Sequence, residues 1–397
     1  MKKVLVTGMG VISAIGNNSE DNLTHLRNGD TGIGKTNYLE SNYAQTHLFG
    51  EVKMSTSSLK ENLKMTQKGL TRTDLLAFTA MEEAIKASGL TLNEISSEKT
   101  AFISASTIGG MCLTEQLYKD AYSNSDTTEY AQSYTGNAHA LRIAEAYKLS
   151  GVVDVINTAC SSSLNAIMMG ARLIKSGRAN RAIVGGSDAL GKFTINGFNA
   201  LQILSKAPCK PFDEERVGLT LGEGAAYLIL ESEDVIGEKK RCAEISGFGN
   251  SNDAFHPSSI SDEAFGVVAA MTKALKSASL KPQDIDYINA HGTATGNNDS
   301  SELYGIKKTF ENFPPFNSTK SYTGHTLAAA GVIETAFSIL SIQNQELYPS
   351  LNFEKPIQPF NQTPIISYQS QQKINFAMTN SFGFAGNCSS LIIGKPQ

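Results

Sequence analysis

The chain of 397 residues has 34 basic and 38 acidic side chains, a formal net charge of −4, and is 41% hydrophobic and 18% charged. Such a length buries a large core and holds two or three domains or two closely packed halves, and the charge balance leaves no electrostatic footprint for nucleic acid or an anionic lipid surface. The five cysteines, Cys112, Cys160, Cys209, Cys242 and Cys388, are scattered, odd in number and lack a CxxC pair, so neither a disulfide framework nor a zinc or other metal site is expected, and the setting expected is reducing and cytoplasmic.

Val4-Leu-Val-Thr-Gly-Met-Gly10 reads as a core strand running into a glycine turn. Its glycines interrupt the apolar run before it reaches signal-peptide length, and no membrane span is expected. Ser13 stands where a dinucleotide fingerprint needs its third glycine, so a nucleotide site is not expected. Residues 18–63 are polar and weakly patterned, as in a short helix followed by surface loops. Arg72 to Ser88 is a helix with Leu75, Phe78, Met81, Ala84 and Ile85 on one face and Gly89 at its end. Thr100 to Ala105 is a buried strand leading to the turn Ile108-Gly-Gly110. A polar segment, 114–132, carries Tyr118, Tyr122 and Tyr130, and 137–147 returns to helix.

Val155-Ile-Asn-Thr-Ala-Cys160-Ser-Ser-Ser-Leu164 organises the chain: a β-branched run ends in a thiol, and a helix with Ile167, Met168, Ala171 and Ile174 at helical spacing follows, as far as Lys175. A thiol beside a helix N-terminus meets unpaired N–H groups and the positive end of the dipole, which favour thiolate. Cys160 is therefore the candidate nucleophile. Strands at Arg181–Gly186 and Gly224–Glu231 close the first half, with Glu231 to Arg241 as a solvated crossover. The second half echoes the first. Asp286-Tyr-Ile-Asn-Ala-His291 parallels Asp154-Val-Ile-Asn-Thr-Ala-Cys160, and Ser389–Gly394 parallels the strand ending at Glu231. A duplicated α/β unit follows, with mixed sheets, helices on their faces and reactive residues meeting between the halves.

Three more segments carry chemistry: His291-Gly-Thr-Ala-Thr-Gly-Asn-Asn-Asp299, Lys320-Ser-Tyr-Thr-Gly-His325 leading into a helix over 327–340, and the glycine-punctuated turn Ser381-Phe-Gly-Phe384-Ala-Gly386, able to bring N–H groups to a reacting carbonyl. Together with Thr158-Ala-Cys160 these segments resemble the β-ketoacyl-[acyl carrier protein] synthases, elongating condensing enzymes of the fatty-acid and polyketide ketosynthase type, over nearly the whole chain.

The resemblance implies a thiolase-like α-β-α-β-α five-layered core of two duplicated halves. These are residues 1–235, carrying the nucleophile, and 236–397, carrying both histidines and the lysine. It implies an acyltransferase in which Cys160 takes an acyl chain from an acyl carrier protein. His291 and His325 then promote decarboxylation of malonyl carrier, and the backbone N–H groups of Cys160 and Phe384 hold the oxyanion. Lys320 would order the histidines with Glu302 as its acidic partner, Phe384 would gate the site, Thr293 and Thr295 would bind the phosphopantetheine arm, and Ile108 and Phe198 would limit chain length. No cofactor of its own is implied, since phosphopantetheine arrives on the carrier. Lys64, Lys68 and Arg72 would dock that carrier, and Lys206 would stand in for an arginine replaced by Gln202. The implied assembly is a homodimer, or a heterodimer with a chain-length factor.

The family's Gly-Phe-Gly-Gly-Thr-Asn turn is here Gly383-Phe384-Ala385-Gly386-Asn387-Cys388, which places alanine where positive φ is expected. Ser161-Ser162-Ser163 and the short 205–212 loop lean toward polyketide and aryl-polyene ketosynthases. The alternatives are a chain-length-factor subunit, a starter-making decarboxylase and a thiolase. The first two usually lack a cysteine at the nucleophile position, and a thiolase needs a second catalytic cysteine, for which Cys388 is the only candidate by position.

Overall fold

The structure, a computed structural model, describes residues 2–123 and 131–396; Tyr130 lies outside them. The first half contributes strands β1 (Val4–Ile12), β2 (Thr100–Ala105), β3 (Val153–Ile156), β4 (Arg181–Asp188) and β5 (Gly224–Ser232), and the second β6 (Ala243–Asn252), β7 (Tyr287–Asn289), β8 (Phe316–Asn317), β9 (Phe376–Phe382) and β10 (Asn387–Gly394). They hydrogen-bond in the order β3-β2-β4-β5-β1-β6-β10-β9-β7-β8. Read outward from the seam between β1 and β6, both halves run first, fifth, fourth, second, third strand. Orientation repeats too: the second strand is parallel to the third and fourth, and the fifth is antiparallel to the fourth and first. The seam itself is short, Leu5 opposite Glu244 and Val6 opposite Ala243.

This topology corrects one internal echo. The strand ending at Cys160 is β3, whose counterpart is β8, whereas His291 follows β7, the counterpart of β2. Cys160 and His291 thus end non-equivalent strands, and it is the Lys320–His325 segment that occupies the nucleophile's place in the second half. The echo between β5 and β10 holds.

Layering follows from burial. Every residue of β1 and β5 is buried, so the sheet is covered on both faces. The helix Arg72–Ser88 packs outside the first half and Phe265–Ala278 outside the second, while Ser162–Lys175 and Ala330–Asn344 touch strands of both halves and each other. The five-layered expectation is met. Every residue from Ala330 to Ile342 is buried, which accounts for a stretch, Leu327–Asn344, apolar enough to cross a bilayer yet 89% buried in the fold.

The glycines of the first strand do not make a turn. β1 continues through Gly8 and Gly10, where a Cβ would lie 2.3 Å from the Ala84 carbonyl oxygen and 2.1 Å from that of Ala80. Gly247 and Gly249 of β6 stand in the same relation to Ala274 and Ala270, at 2.6 and 2.1 Å. Two glycines two apart on a strand meet two alanines four apart on a helix, once in each half, and let the outer helix lie on the sheet. Nor are residues 18–63 all surface: Phe49, Glu51 and Val52 are buried, and Glu51 accepts the N–H groups of Asn37, Tyr38 and Leu39. The crossover also departs from a solvated turn, since Lys239 joins Arg181 around the buried Glu231 carboxylate.

Candidate active site

β3 ends at Ile156, and Ala159 in the left-handed region (φ 54°) turns the chain so that Cys160 precedes the helix Ser162–Lys175. Such a conformation is costly for alanine and persists because its surroundings fix it. Each following serine has a structural role. Ser161 Oγ donates to Thr158 O (2.8 Å) and Asn387 Oδ1 (2.8 Å), Ser162 Oγ accepts from Thr158 N (2.8 Å), and Ser163 Oγ accepts from Val332 N (2.9 Å) on the other central helix. Cys160 itself is 6% exposed.

The sulfur of Cys160 and ring nitrogens of His291 and His325 all lie within 4.8 Å of one another. The two imidazoles meet edge to face, with centroids 5.4 Å apart. Leu327 N donates to His325 Nδ1 at 3.1 Å, so the ring's proton belongs on Nε2, which is buried with no hydrogen-bond partner among the described residues. Lys320 Nζ lies 3.2 Å from His291 Nδ1 and donates to His291 O at 2.7 Å, which likewise leaves Nε2 of His291 as the N–H donor. Burial first, then the Lys320 charge, hold both histidines well below the usual imidazole range, with His325 adding to the effect on His291. Both rings are neutral donors at neutral pH.

The expectation of a Cys160 thiolate is corrected. Burial pushes the thiol up to about 11, against the Lys320 charge and the N–H groups of Phe384 and Cys160, all of which favour the anion. Those two N–H groups nevertheless converge on the sulfur. Gly383 is what lets the Phe384 turn approach so closely, since a Cβ there would lie 2.6 Å from Thr158 O and 3.3 Å from Cys160 N. In the same turn Ala385 adopts φ 62°, as the sequence led one to expect, with its N–H on Pro257 O at 2.7 Å.

The acidic partner of Lys320 is Glu334, not Glu302. Both Lys320 and Glu334 are buried and directly hydrogen-bonded, and burial pushes the Glu334 carboxyl up to about 7 against the pull of Lys320. Glu302 holds the backbone instead, accepting His291 N and Gly292 N, each at 2.9 Å, and Asn380 Nδ2 at 3.2 Å. Glu334 was missed by the sequence reading, although it is the one charged residue in the otherwise uncharged segment Ala330–Asn344. Asp299, also buried, shapes the turn after His291 through Ala294 N and Phe212 N.

Thr293 and Thr295 share a hydrogen bond of 2.9 Å and line a cleft of about 220 Å³ with Cys160, His291, His325, Phe382 and Phe384. A second, apolar pocket of about 460 Å³ opens from Cys160 between Ile108, Met111, Phe198 and Leu327. Phe198 stacks on Phe384, centroids 5.6 Å apart, so this ring separates cleft from pocket. Of the docking residues, Lys64 and Lys68 are exposed. Arg72 is not a docking group: it is tied to Glu223 at 2.7 Å and to the carbonyls of Val52 and Met54. Lys206 and Gln202 are exposed, the latter at φ 56°. Cys388 is buried beside Gly266 in the core on the Phe265–Ala278 side, away from Cys160, and cannot serve as a thiolase's second thiol. Cys160, His291 and His325 also form a donor set of metal-binding type, but the ammonium beside His291 and the protonated thiol oppose a cation there.

Doubled α/β halves that bring a thiol from one half and two imidazoles from the other to a shared cavity define the thiolase-like class of condensing acyltransferases. The chain belongs to the β-ketoacyl synthase family: residues 1–235 match its N-terminal domain and residues 242–354 its C-terminal domain. It is 34% identical to 3-oxoacyl-[acyl-carrier-protein] synthase 2 of Coxiella burnetii, over 99% of both chains. Among solved structures it resembles the ishigamide ketosynthase/chain length factor (TM-score 0.93, 25% identity, all of both chains). It also resembles a type II polyketide synthase acyl-carrier protein in complex with its ketosynthase bound to the hexaketide (TM-score 0.88, 27% identity, all of both chains).

Proposed function

We propose that the chain is an elongating 3-oxoacyl-[acyl carrier protein] synthase of fatty-acid or polyketide/aryl-polyene assembly. The observation that carries this reading is the convergence of Cys160, His291 and His325 within 4.8 Å at the junction of a cleft and an apolar pocket.

In the first half-reaction Cys160 Sγ attacks the thioester carbonyl of an acyl carrier, the oxyanion faces the N–H groups of Cys160 and Phe384, and the carrier's pantetheine sulfur leaves with the thiol proton. The acyl chain then occupies the Ile108–Phe198 pocket, and Phe384 acts as the gate beside it. In the second, malonyl carrier places its arm along Thr293 and Thr295. The C–C bond to its carboxylate breaks, carbon dioxide leaves, and the electron pair is carried as an enolate whose oxygen receives the N–H groups of His291 and His325. The enolate carbon attacks the acyl carbonyl, and Cys160 leaves as thiolate and takes up one proton from solvent, the proton that the condensation consumes overall. Lys320, balanced by Glu334, keeps both imidazoles in the donor state, and Glu302 holds the His291 backbone.

Phosphopantetheine enters as part of the substrate, and the partner is an acyl carrier protein docking near Lys64 and Lys68. The assembly is a homodimer or a heterodimer with a chain-length factor, the latter suggested by the ishigamide pair. Five free thiols suit a reducing, cytoplasmic setting. The chain-length-factor reading is disfavoured by the presence of Cys160 and both histidines.

The test is intact-protein mass after exposure to saturated, polyunsaturated and aryl-primed acyl carriers. Wild type is expected to gain one acyl group and Cys160→Ala none, and the accepted chains separate fatty-acid from polyene use. No adduct from any donor overturns a stand-alone synthase.

A further inference from the structure

Asp188, the last residue of β4, is fully buried and has no part in the chemistry above. Its carboxylate gathers donors from two separate parts of the site. Oδ1 accepts Ser106 Oγ at 2.6 Å and Ile108 N at 3.2 Å, and both oxygens lie 3.1 Å from Thr107 N. Thr107 Oγ1 donates to Oδ2 as well. These groups follow β2, and Thr107 and Ile108 line the apolar pocket. Oδ2 also accepts Ala328 N at 2.9 Å, from the other half of the chain. Ala328 follows Leu327, whose N–H fixes the His325 ring and whose side chain lines the same pocket. Leu327 itself is held in the left-handed region, φ 55°, so the turn depends on being tethered from outside.

A buried carboxylate is tolerated when donors surround it. Here the donors are hydroxyl and backbone N–H groups in fixed positions, so one rigid group clamps the pocket wall to the turn that carries His325. We propose that Asp188 is a positioning residue that sets the acyl-pocket wall and the His325 donor together. Chain selection on Cys160 and malonyl decarboxylation are then tuned through a single side chain. This rests on the condensing reading above.

Asp188→Asn keeps the shape but turns one acceptor into an NH₂ group, which faces N–H donors on whichever side it lies, so one side must let go. Malonyl-carrier decarboxylation is expected to fall about 10- to 100-fold, the scale of a misplaced catalytic group, and the range of chains loaded onto Cys160 is expected to shift. Thr107→Val removes one hydroxyl and leaves the backbone donors. It is expected to move both readouts the same way by about threefold, the scale of a weak hydrogen bond. Nitrogen NMR shifts of His325 read the tether without catalysis: wild type shows the Nε2–H tautomer alone, and both variants show a mixture.

Unchanged His325 shifts overturn the proposal whatever the activity. So does an altered chain range with undiminished decarboxylation, or a fall of both half-reactions in step with the folded fraction, which marks a structural role only. If Asp188→Asn does not fold, Thr107→Val decides by the same readouts. A wild-type protein that neither loads nor decarboxylates overturns the condensing reading alone, since the His325 shifts still judge Asp188.

Discussion

Lys320 shows how much of this site depends on single buried groups whose partners lie far away in sequence. Its ammonium orders His291 and is balanced by Glu334, and it favours the Cys160 thiolate, yet the thiol stays protonated because burial outweighs that charge. Only the thiolate reacts with an alkylating agent, and below its titration point the thiolate fraction rises tenfold per pH unit. With the thiol pushed up to about 11, iodoacetamide labelling of Cys160, followed by peptide mass spectrometry, is expected to keep rising by about tenfold per unit from pH 7 to 9. A plateau within that window would mean that Lys320 and the convergent N–H groups outweigh burial. Arg72 carries the opposite lesson. Beside Lys64 and Lys68 it reads as part of a basic patch, because its partner Glu223 comes 151 residues later. Arg72→Ala leaves the buried Glu223 carboxylate without its guanidinium, still held by the N–H groups of Val52 and Leu190, and is expected to cost about 3–5 kcal/mol in urea unfolding. Lys64→Glu is expected to leave stability within about 0.5 kcal/mol while raising the KM for acyl carrier. Equal effects of the two variants on KM at matched folded fraction would return Arg72 to the docking face. Cys160, His291, Lys320 and His325 were legible because each sits in a short motif. Glu334 and Asp188 were not, because the role of each is fixed by residues brought in from elsewhere in the chain.

Elements repeat across the two halves more faithfully than residues do. The Asp-start echo that pairs the strand before Cys160 with the strand before His291 rests on a few letters, and the hydrogen-bonding order overrules it. The stronger signal of duplication was present in the sequence but needed the fold to be read: Gly8 and Gly10 against Ala84 and Ala80, Gly247 and Gly249 against Ala274 and Ala270. A glycine in a strand interior often marks the close approach of another backbone, and here both pairs do. Gly10→Ala and Gly249→Ala each force a methyl group to 2.1 Å from a carbonyl oxygen, and the outer helix must move off the sheet. Each is expected to destabilise by about 1–3 kcal/mol, as overpacking does. Gly34, where a Cβ meets nothing within 4 Å, is the control, and Gly34→Ala is expected to change the urea midpoint little. A Gly10→Ala protein as stable as that control would mean that the helix rides further from β1.

Of the three buried clusters among the described residues, one lies almost wholly in the first half and one in the second, and the largest crosses the boundary between them. The largest buried cluster joins Val4, Ile103 and Ile167 of the first half to Val332, Phe337 and Leu391 of the second. Among the described residues the sheet crosses the seam through two residue pairs. Cohesion therefore comes from the central helices, Ser162–Lys175 against Ala330–Asn344, with Ser163 Oγ accepting Val332 N between them. The site is divided along the same line, since Cys160 comes from one half and His291, Lys320 and His325 from the other. Residues 1–235 expressed alone would expose the face of the Ser162–Lys175 helix that the second half buries, and a surface of that kind drives aggregation. This fragment is expected to be insoluble or to lack fixed tertiary packing by near-ultraviolet circular dichroism. Its Cys160 is expected to accept no acyl chain, because the Phe384 N–H that completes the oxyanion position belongs to the missing half. Refolding it together with residues 236–397 is expected to restore loading. The intact chain is correspondingly expected to unfold in urea in one transition, the same whether followed by tyrosine fluorescence or by exposure of Cys160. Two separated transitions, or a soluble first half with native-like packing, would show that each half carries its own core and that the shared helices serve the site more than the fold.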